Sequence, residues 1–165
     1  MKSAPVAVAA GLLLATAAYA AAATPADKAF VAKVSQGGMF EVDAGKLAET
    51  KGSTQDIRDF ATMEVHDHML VGAKLKAISS SEGVTIDPNP NAEFAGKAAT
   101  LKSLSGAAFD ERYMTDMAAL HDADGAAFAK EATEGGSPAY RAFGAETHKI
   151  VQRHIGAIHG AKPPA

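Results

Sequence analysis

Residues 54–82 read TQDIRDFATMEVHDHMLVGAKLKAISSSE, and a set of mostly apolar side chains recurs there at alternating steps of four and three residues. This spacing brings side chains to one face of an α-helix, so it predicts a long helix with one face toward a core. The face comprises Ile57, Ala61, Glu64, His68, Val71, Leu75 and Ile78. Two titratable residues therefore lie in the middle of a predicted buried face.

Capping signals around this stretch predict further helices and no strand. Thr24 and Pro25 are a helix start, and Ser137 and Pro138 are another. The predicted helices cover about residues 25–51, 54–82, 91–104, 107–134 and 138–159. The breaks after residues 51 and 134 are short, so they imply two helical hairpins, joined by the longer segment 83–106. We expect an all-α four-helix bundle whose connector contains a short helix, with the relative direction of the second and third long helices left open.

The N-terminal residues resemble a signal peptide. Lys2 precedes an apolar run from Val6 to Tyr19, and Ala18 and Ala20 fit the small-x-small rule for cleavage. We expect a signal peptide at 1–23 cleaved after residue 20 to 23, a bundle domain at 24–160 and a disordered tail at 161–165. The protein is then exported, periplasmic or envelope-associated; an uncleaved membrane anchor is the alternative.

Composition excludes several functions. The 165-residue chain has a net charge of −3, so it offers no broad positive surface for nucleic acid. It contains no cysteine, which excludes disulfides, thiol catalysis and iron–sulfur ligation. The sequence contains no nucleophile motif of the kind that would indicate a hydrolase. Partners, substrate and oligomeric state stay open, and an enzymatic activity is not indicated.

Each long helix carries a metal-capable side chain on its predicted buried face. These residues are Glu41, His68, His121 and His154. Three imidazoles and one carboxylate suit a single zinc, iron, copper or manganese ion, whereas a dinuclear iron site needs more carboxylates. Additional or outer-shell candidates are Glu64, Asp67, Asp124 and Tyr113.

A metal-free explanation of the same residues is also open. A buried histidine is often hydrogen-bonded to a neighbouring carboxylate, and His68 with Glu64 and His121 with Asp124 have helical spacing for this. The chain is then a non-enzymatic interaction or structural module of the periplasm or envelope. His66, His148 and His159 fall off the buried faces and are predicted at the surface.

Three segments, at 37–78, 103–132 and 140–158, resemble the bacterial domain-of-unknown-function family 4142. They begin GGMFEVDAGKL, SLSGAAFDERY and YRAFGAETHKI. The resemblance implies an exported, ferritin-like helical protein and carries over Glu41, Asp67, His68, Phe109, Asp110, Tyr113, His121 and His154 as matches to the family pattern. Glu64 departs from it, because the family favours an apolar residue there. The resemblance implies no activity, although a ferritin-like fold favours metal binding.

Overall fold

A computed structural model of the protein describes residues 22–160, which form five helices and no strand. The helices are α1 (Pro25–Lys51), α2 (Gln55–Ser81), α3 (Ala92–Ser103), α4 (Gly106–Glu134) and α5 (Pro138–Gly160). The prediction of an all-α fold is confirmed. The predicted tail and residues 1–21 of the predicted signal peptide lie outside the described residues. Within 22–160, no helix combines the length and apolar character that a membrane crossing requires.

Side-chain caps explain where α1, α2 and α3 begin. The Thr24 hydroxyl accepts a hydrogen bond from the backbone N–H of Asp27, whose carboxylate accepts one from the backbone N–H of Thr24 in return. Thr54 and Asn91 likewise accept from the third residue of α2 and α3. These bonds satisfy N–H groups that have no partner inside a helix, so the ends follow from local sequence.

The long helices pair as two antiparallel hairpins. Residues 52–54 join α1 to α2, and a Cβ added at Gly45 would lie 2.7 Å from a methyl carbon of Val65. Residues 135–137 join α4 to α5, and a Cβ added at Gly144 would lie 2.9 Å from the backbone nitrogen of Ala132. The two glycines therefore allow each pair of helices to approach closely.

The hairpins pack so that α2 and α4 run in the same direction. Phe60 of α2 contacts Tyr113 of α4, and further along both helices His68 contacts His121. The connector must therefore return the chain from the end of α2 to the start of α4, and it does so by running along α1. Asn91 donates its backbone N–H to the Gln36 side chain at 2.7 Å, and the rings of Phe40 and Phe94 stack at 5.3 Å.

Two apolar clusters occupy opposite ends of the core. One contains Phe40, Ala44, Ala48, Ile57, Ala61, Phe94, Leu101, Phe109, Tyr113, Met117 and Ile158. The other contains Phe30, Val31, Val34, Leu75, Phe128, Tyr140, Phe143 and Val151. On α2, α4 and α5 the residues between the two sets include the histidines of the predicted site. The fold therefore places a polar layer between two apolar ones.

Candidate metal centre

Five titratable side chains form this polar layer. Glu41, Glu64, His68, His121 and His154 are all at most 6% exposed, and they come from all four long helices. The centroids of the three imidazole rings lie 5.2–5.6 Å apart. Helix periodicity accounts for the inward direction of each residue, and the packing of the hairpins brings the residues to one level.

Glu64 lies among the three rings. Its carboxylate oxygens are 2.7 Å from His154 Nδ1, 3.2 Å from His68 Nε2 and 3.3 Å from His121 Nε2. The atoms that these four residues offer to a metal all lie within 4.8 Å of one another. Ligand atoms at about 2.0 Å from a tetrahedral ion lie about 3.3 Å apart, so the spacing suits a transition metal.

Each ring has an outer partner for its second nitrogen. His121 Nδ1 is 2.9 Å from the Met117 carbonyl oxygen. His154 Nε2 is 2.8 Å from Asp67 Oδ2, and His68 Nδ1 is 3.0 Å from Glu41 Oε2. An N–H directed at each outer acceptor leaves the other nitrogen of each ring facing Glu64. Two of these inner nitrogens, His121 Nε2 and His154 Nδ1, are also 3.1 Å apart, so a proton can lie between them when no metal is bound. Outer acceptors that orient imidazoles in this way are typical of metal sites.

Asp67 is itself held in position by α5. Arg153 Nη2 lies 2.5 Å from Asp67 Oδ2, the same oxygen that contacts His154. The carboxylate is thus shared between a partly exposed guanidinium and a buried imidazole. Burial would raise the pKa of Asp67, but the hydrogen bonds from His154 and Arg153 and their charges lower it. Asp67 therefore stays ionised as the outer partner of His154.

The oxygens within this layer are close to nitrogens but lack well-directed hydrogen bonds. Both carboxylate oxygens of Glu41 and of Glu64, and Nε2 of His68, have no hydrogen-bond partner among residues 22–160. Their separations are those of ion pairs, while their angles are not those of N–H···O bonds. Carboxylate oxygens and ring nitrogens that face a common point without well-directed hydrogen bonds fit a bound cation.

Protons can also balance the charge in this layer. Burial would lower the pKa of His121, but its contact with Glu64 and the charge of Glu41 raise it to about 9. The pKa of His68 is likewise raised, against the effect of burial, by the charge of Glu41 and by Glu64. Burial would raise the pKa of Glu64, yet the three histidines hold it well below its usual range. Two imidazolium groups can therefore compensate two glutamates when no metal is bound.

The comparisons identify the family. A model of the family described as domain of unknown function DUF4142 matches residues 13–160. The chain belongs to the DUF4142 family. The predicted family is thus confirmed.

Among solved structures, this member of DUF4142 is similar to a DUF305 fragment from Deinococcus radiodurans. The TM-score is 0.73 at 15% sequence identity, over 84% of this chain and 96% of that one. At such identity the likeness concerns the fold alone. No curated protein matches the chain.

The predicted site residues of this DUF4142 member occupy different places in the layer. His68, His121 and His154 come together, and Glu64 stands among them. Glu41 lies on the outer side, 3.0 Å from His68 Nδ1 and 3.5 Å from His121 Nδ1.

Two further predicted candidates are buried beside the layer. Asp124 is 3% exposed, and its Oδ1 has no hydrogen-bond partner among the described residues. Burial and the charge of Glu41 raise the pKa of Asp124 to about 7. The Tyr113 hydroxyl, also without a partner among residues 22–160, has a pKa raised well above 10.0 by burial and by the charges of Glu64 and Glu41. Neither belongs to the four-residue group that surrounds a common point.

Two contacts at the site were not predicted from the sequence. The Met117 carbonyl is a backbone group, so no side-chain pattern could indicate its contact with His121. Arg153 precedes His154, and only the packing of α2 on α5 brings it to Asp67.

His66 and His159 are exposed, and His148 is half-buried with Nδ1 3.1 Å from the Gly125 carbonyl oxygen.

Proposed function

We propose that the protein binds one transition-metal ion in its core, through Glu64, His68, His121 and His154. The observation that carries the proposal is the division of roles within each ring. One nitrogen of each imidazole has an outer partner, and the other faces Glu64 within 3.3 Å. A bound cation would satisfy the two Glu64 oxygens and His68 Nε2, which are buried without hydrogen-bond partners among the described residues.

The donor set favours a single zinc, iron, copper or manganese ion. Three imidazole nitrogens and one carboxylate oxygen suit borderline first-row metals better than calcium or magnesium, which prefer oxygen donors. A dinuclear iron store needs about four carboxylates and two histidines, so the cluster is too poor in carboxylates. When bound, the ion supplies Lewis-acid or redox chemistry, while the protein orients the rings and excludes water.

We also propose that the four long helices form a ferritin-like bundle. Support comes from the two antiparallel hairpins, from the shared direction of α2 and α4, and from the connector along α1. Ferritin-like folds join two hairpins by one long crossover and build metal sites from side chains that face one another in the core. The proposed centre has that position.

Export completes the proposal. The apolar run from Val6 to Tyr19 and the alanines that follow it support a signal peptide at residues 1–23. The bundle would then act in the periplasm or at the envelope. Mass spectrometry of the protein recovered from its own cells tests this: a chain that begins after residue 20 to 23 supports export, and a chain that retains its N-terminal residues contradicts cleavage.

The competing proposal is that the polar layer binds no metal and has a structural role. The raised pKa values of His68 and His121 favour it, because two imidazolium groups balance Glu41 and Glu64 without a cation. The layer would then specify helix register in a non-enzymatic interaction or structural module of the envelope.

Metal content separates the two. The chain is purified without an affinity tag and analysed for metals by mass spectrometry, and the chelator-treated protein is then melted with each of the four ions. We expect about one equivalent of bound metal and a rise in melting temperature that grows with ion concentration. Glu64→Gln should abolish both, whereas Asp122→Asn, an exposed change beside His121, should preserve them. Less than about one-tenth of an equivalent together with unchanged melting supports the metal-free layer.

A further inference from the structure

A large cavity lies between the connector and the first hairpin. Its volume is about 910 Å³, and it extends from residues 79–98 across α1 and α2. Its walls are mainly apolar and include Val71, Leu75, Val84, Ile86 and Phe94. We call it the connector cavity. A volume of this size, with mostly apolar walls and few polar groups, is typical of small-molecule sites.

The inner end of the connector cavity is acidic. Glu41, His68 and Asp124 line it, and each is at most 6% exposed. His68 and His121 compensate Glu41, since their Nδ1 atoms lie 3.0 and 3.5 Å from its oxygens. Asp124 makes no such close contact: its Oδ1 lacks a hydrogen-bond partner among residues 22–160, and the charges of Lys33, His121 and His68 lower its pKa by less than burial and Glu41 raise it.

Lys33 of α1 does not form a hydrogen bond with Asp124. Lys33 donates its ammonium group to the Ala123 carbonyl oxygen at 3.1 Å. Burying a carboxylate without a hydrogen bond costs free energy, so a donor within the cavity would stabilise Asp124.

We propose that the connector cavity binds a small apolar molecule that carries an ammonium group. The ammonium donates to the Asp124 carboxylate, and the apolar body packs against the walls that α2, α3 and the connector provide. An anionic group is disfavoured at the inner end because two carboxylates stand there. Lys76 and Lys102 also line the cavity, but neither forms an ion pair with those carboxylates. This site is separate from the metal proposal, since none of its contacts with the ligand requires a metal at Glu64.

Two glycines keep the connector cavity open. Gly38 of α1 and Gly72 of α2 both line it, and a Cβ added at either would meet no atom within 4 Å. Glycine is unfavourable inside a helix, so these positions contribute space at the expense of helix stability. A large side chain at either position would project into the empty volume. Gly156 of α5 has equally open surroundings and does not line the cavity, so it provides a matched control.

The test uses three probes with one apolar body: 2-(1-naphthyl)ethylamine, the corresponding neutral alcohol, and 1-naphthylacetate. Binding to the purified chain is measured by fluorescence and calorimetry, in parallel with and without chelator. We expect saturable binding of the amine, at least about tenfold tighter than that of the alcohol, as a charge-assisted hydrogen bond implies. Asp124→Asn should reduce this ratio to about two or less. Gly38→Phe and Gly72→Phe should each remove amine binding, and Gly156→Phe should leave it unchanged.

Several results would overturn the proposal. These are the absence of saturable binding by any of the three probes, naphthylacetate binding as tightly as the amine, an amine preference that survives Asp124→Asn, and equal losses in the Gly38 and Gly156 variants. Circular dichroism confirms that each variant is folded. If Gly38→Phe does not fold, Gly72→Phe and Asp124→Asn decide the question. Because the chelator-treated protein is measured in parallel, a failure of the metal proposal leaves this result readable.

Discussion

Glu64 stands among three imidazoles because α2 presents both Glu64 and His68 to the core, and α4 and α5 add His121 and His154 at nearly the same level. The spacing of α2 alone predicts that Glu64 and His68 face the core. It does not predict which glutamate, Glu41 or Glu64, lies between the rings. That choice depends on how α1 packs against α2, and the two helices approach closely at Gly45 and Val65. Such contacts join residues far apart in sequence, so periodicity does not reveal them.

The outer partner of His154 provides a prediction for metal affinity. Asp67→Asn keeps the shape of the side chain but removes the negative charge that orients the ring. Loss of such a partner typically lowers metal affinity 10–100-fold, so we expect a fall of about that size. Calorimetric titration of chelator-treated protein measures it. Asp122→Asn, with its exposed side chain next to His121, is the control. Equal affinities for the Asp67 variant and the natural protein would contradict the assigned role.

Two buried tyrosines provide a matched prediction for stability. The Tyr113 hydroxyl has no hydrogen-bond partner among residues 22–160, whereas that of Tyr140 donates to Ser79 Oγ at 3.1 Å. Tyr113→Phe removes an unsatisfied polar group, so we expect the free energy of unfolding to rise by about 1 kcal/mol. Tyr140→Phe removes a bond and should lower it by about 1 kcal/mol. Urea denaturation measures both. A loss in the Tyr113 variant as large as in the Tyr140 variant would show that its hydroxyl has a stabilising partner.

At the scale of elements, local chemistry predicts most of the helix ends. Thr24, Thr54 and Asn91 accept hydrogen bonds from the first turns that follow them, as their positions in the sequence indicate. α4 begins at Gly106, one residue earlier than predicted, with a positive φ of 57° that glycine adopts readily. Helix ends are set within a few residues of the cap, and this explains why sequence predicts them better than it predicts the packing.

Glycines within one hairpin should respond oppositely to alanine. Gly72 lies in α2 with open space around it, so Gly72→Ala should stabilise the fold by about 0.5–1 kcal/mol through helix propensity. At Gly45 the added carbon would lie 2.7 Å from Val65 Cγ2, so Gly45→Ala should destabilise by about 1–3 kcal/mol. Urea denaturation gives both values. Stabilisation by both changes would mean that the approach of α1 and α2 is loose.

At the scale of the whole molecule, each hairpin is tied to the link of the other. Asp27 at the start of α1 accepts hydrogen bonds from the backbone N–H groups of Gly136 and Ser137. Asp110 near the start of α4 accepts one from the backbone N–H of Ser53. In the sequence Asp110 is only a match to the family pattern, because its hydrogen-bond partner lies in a distant link. Asp27 and Asp110 therefore join the two hairpins to each other, one at each end of the molecule.

An arginine in each hairpin extends this correspondence. Arg58 donates to the Gly52 carbonyl at 2.6 Å, and Arg141 donates to the Gly135 carbonyl at 2.7 Å. The equivalent residue of the second hairpin always lies 83 positions later in the sequence. Asp110 corresponds to Asp27, Gly135 to Gly52 and Arg141 to Arg58. The two hairpins thus carry the same arrangement of an aspartate, a glycine carbonyl and an arginine. The histidines do not follow this offset, since position 38 holds glycine where the second unit has His121.

Glu131 makes the Asp27 junction sensitive to pH. Burial, and then the hydrogen bond and charge of Asp27, raise the pKa of Glu131 to about 7, from an ordinary value of 4.5. A raised folded-state pKa contributes stability that is full below the unfolded value and is lost as pH rises through the folded value. The natural protein should therefore lose about 3 kcal/mol of this contribution between pH 4.5 and 8.

Glu131→Gln, which stays neutral throughout, should remove this loss and be the more stable protein at pH 8. Urea denaturation at several pH values measures the difference between the two curves, which cancels groups common to both, Asp124 among them. Glu134→Gln, three residues further along α4 with its side chain 68% exposed, is the control and should follow the natural protein.

Asp27 acts at lower pH: burial would raise its pKa, but hydrogen bonds from Thr24, Glu131 and Gly136 lower it to about 2. Its contribution is lost only as pH falls from about 4 toward 2, so it does not affect the window of the Glu131 test. Parallel curves for the Glu131 variant and the natural protein from pH 4.5 to 8 would show that Glu131 titrates normally in the fold.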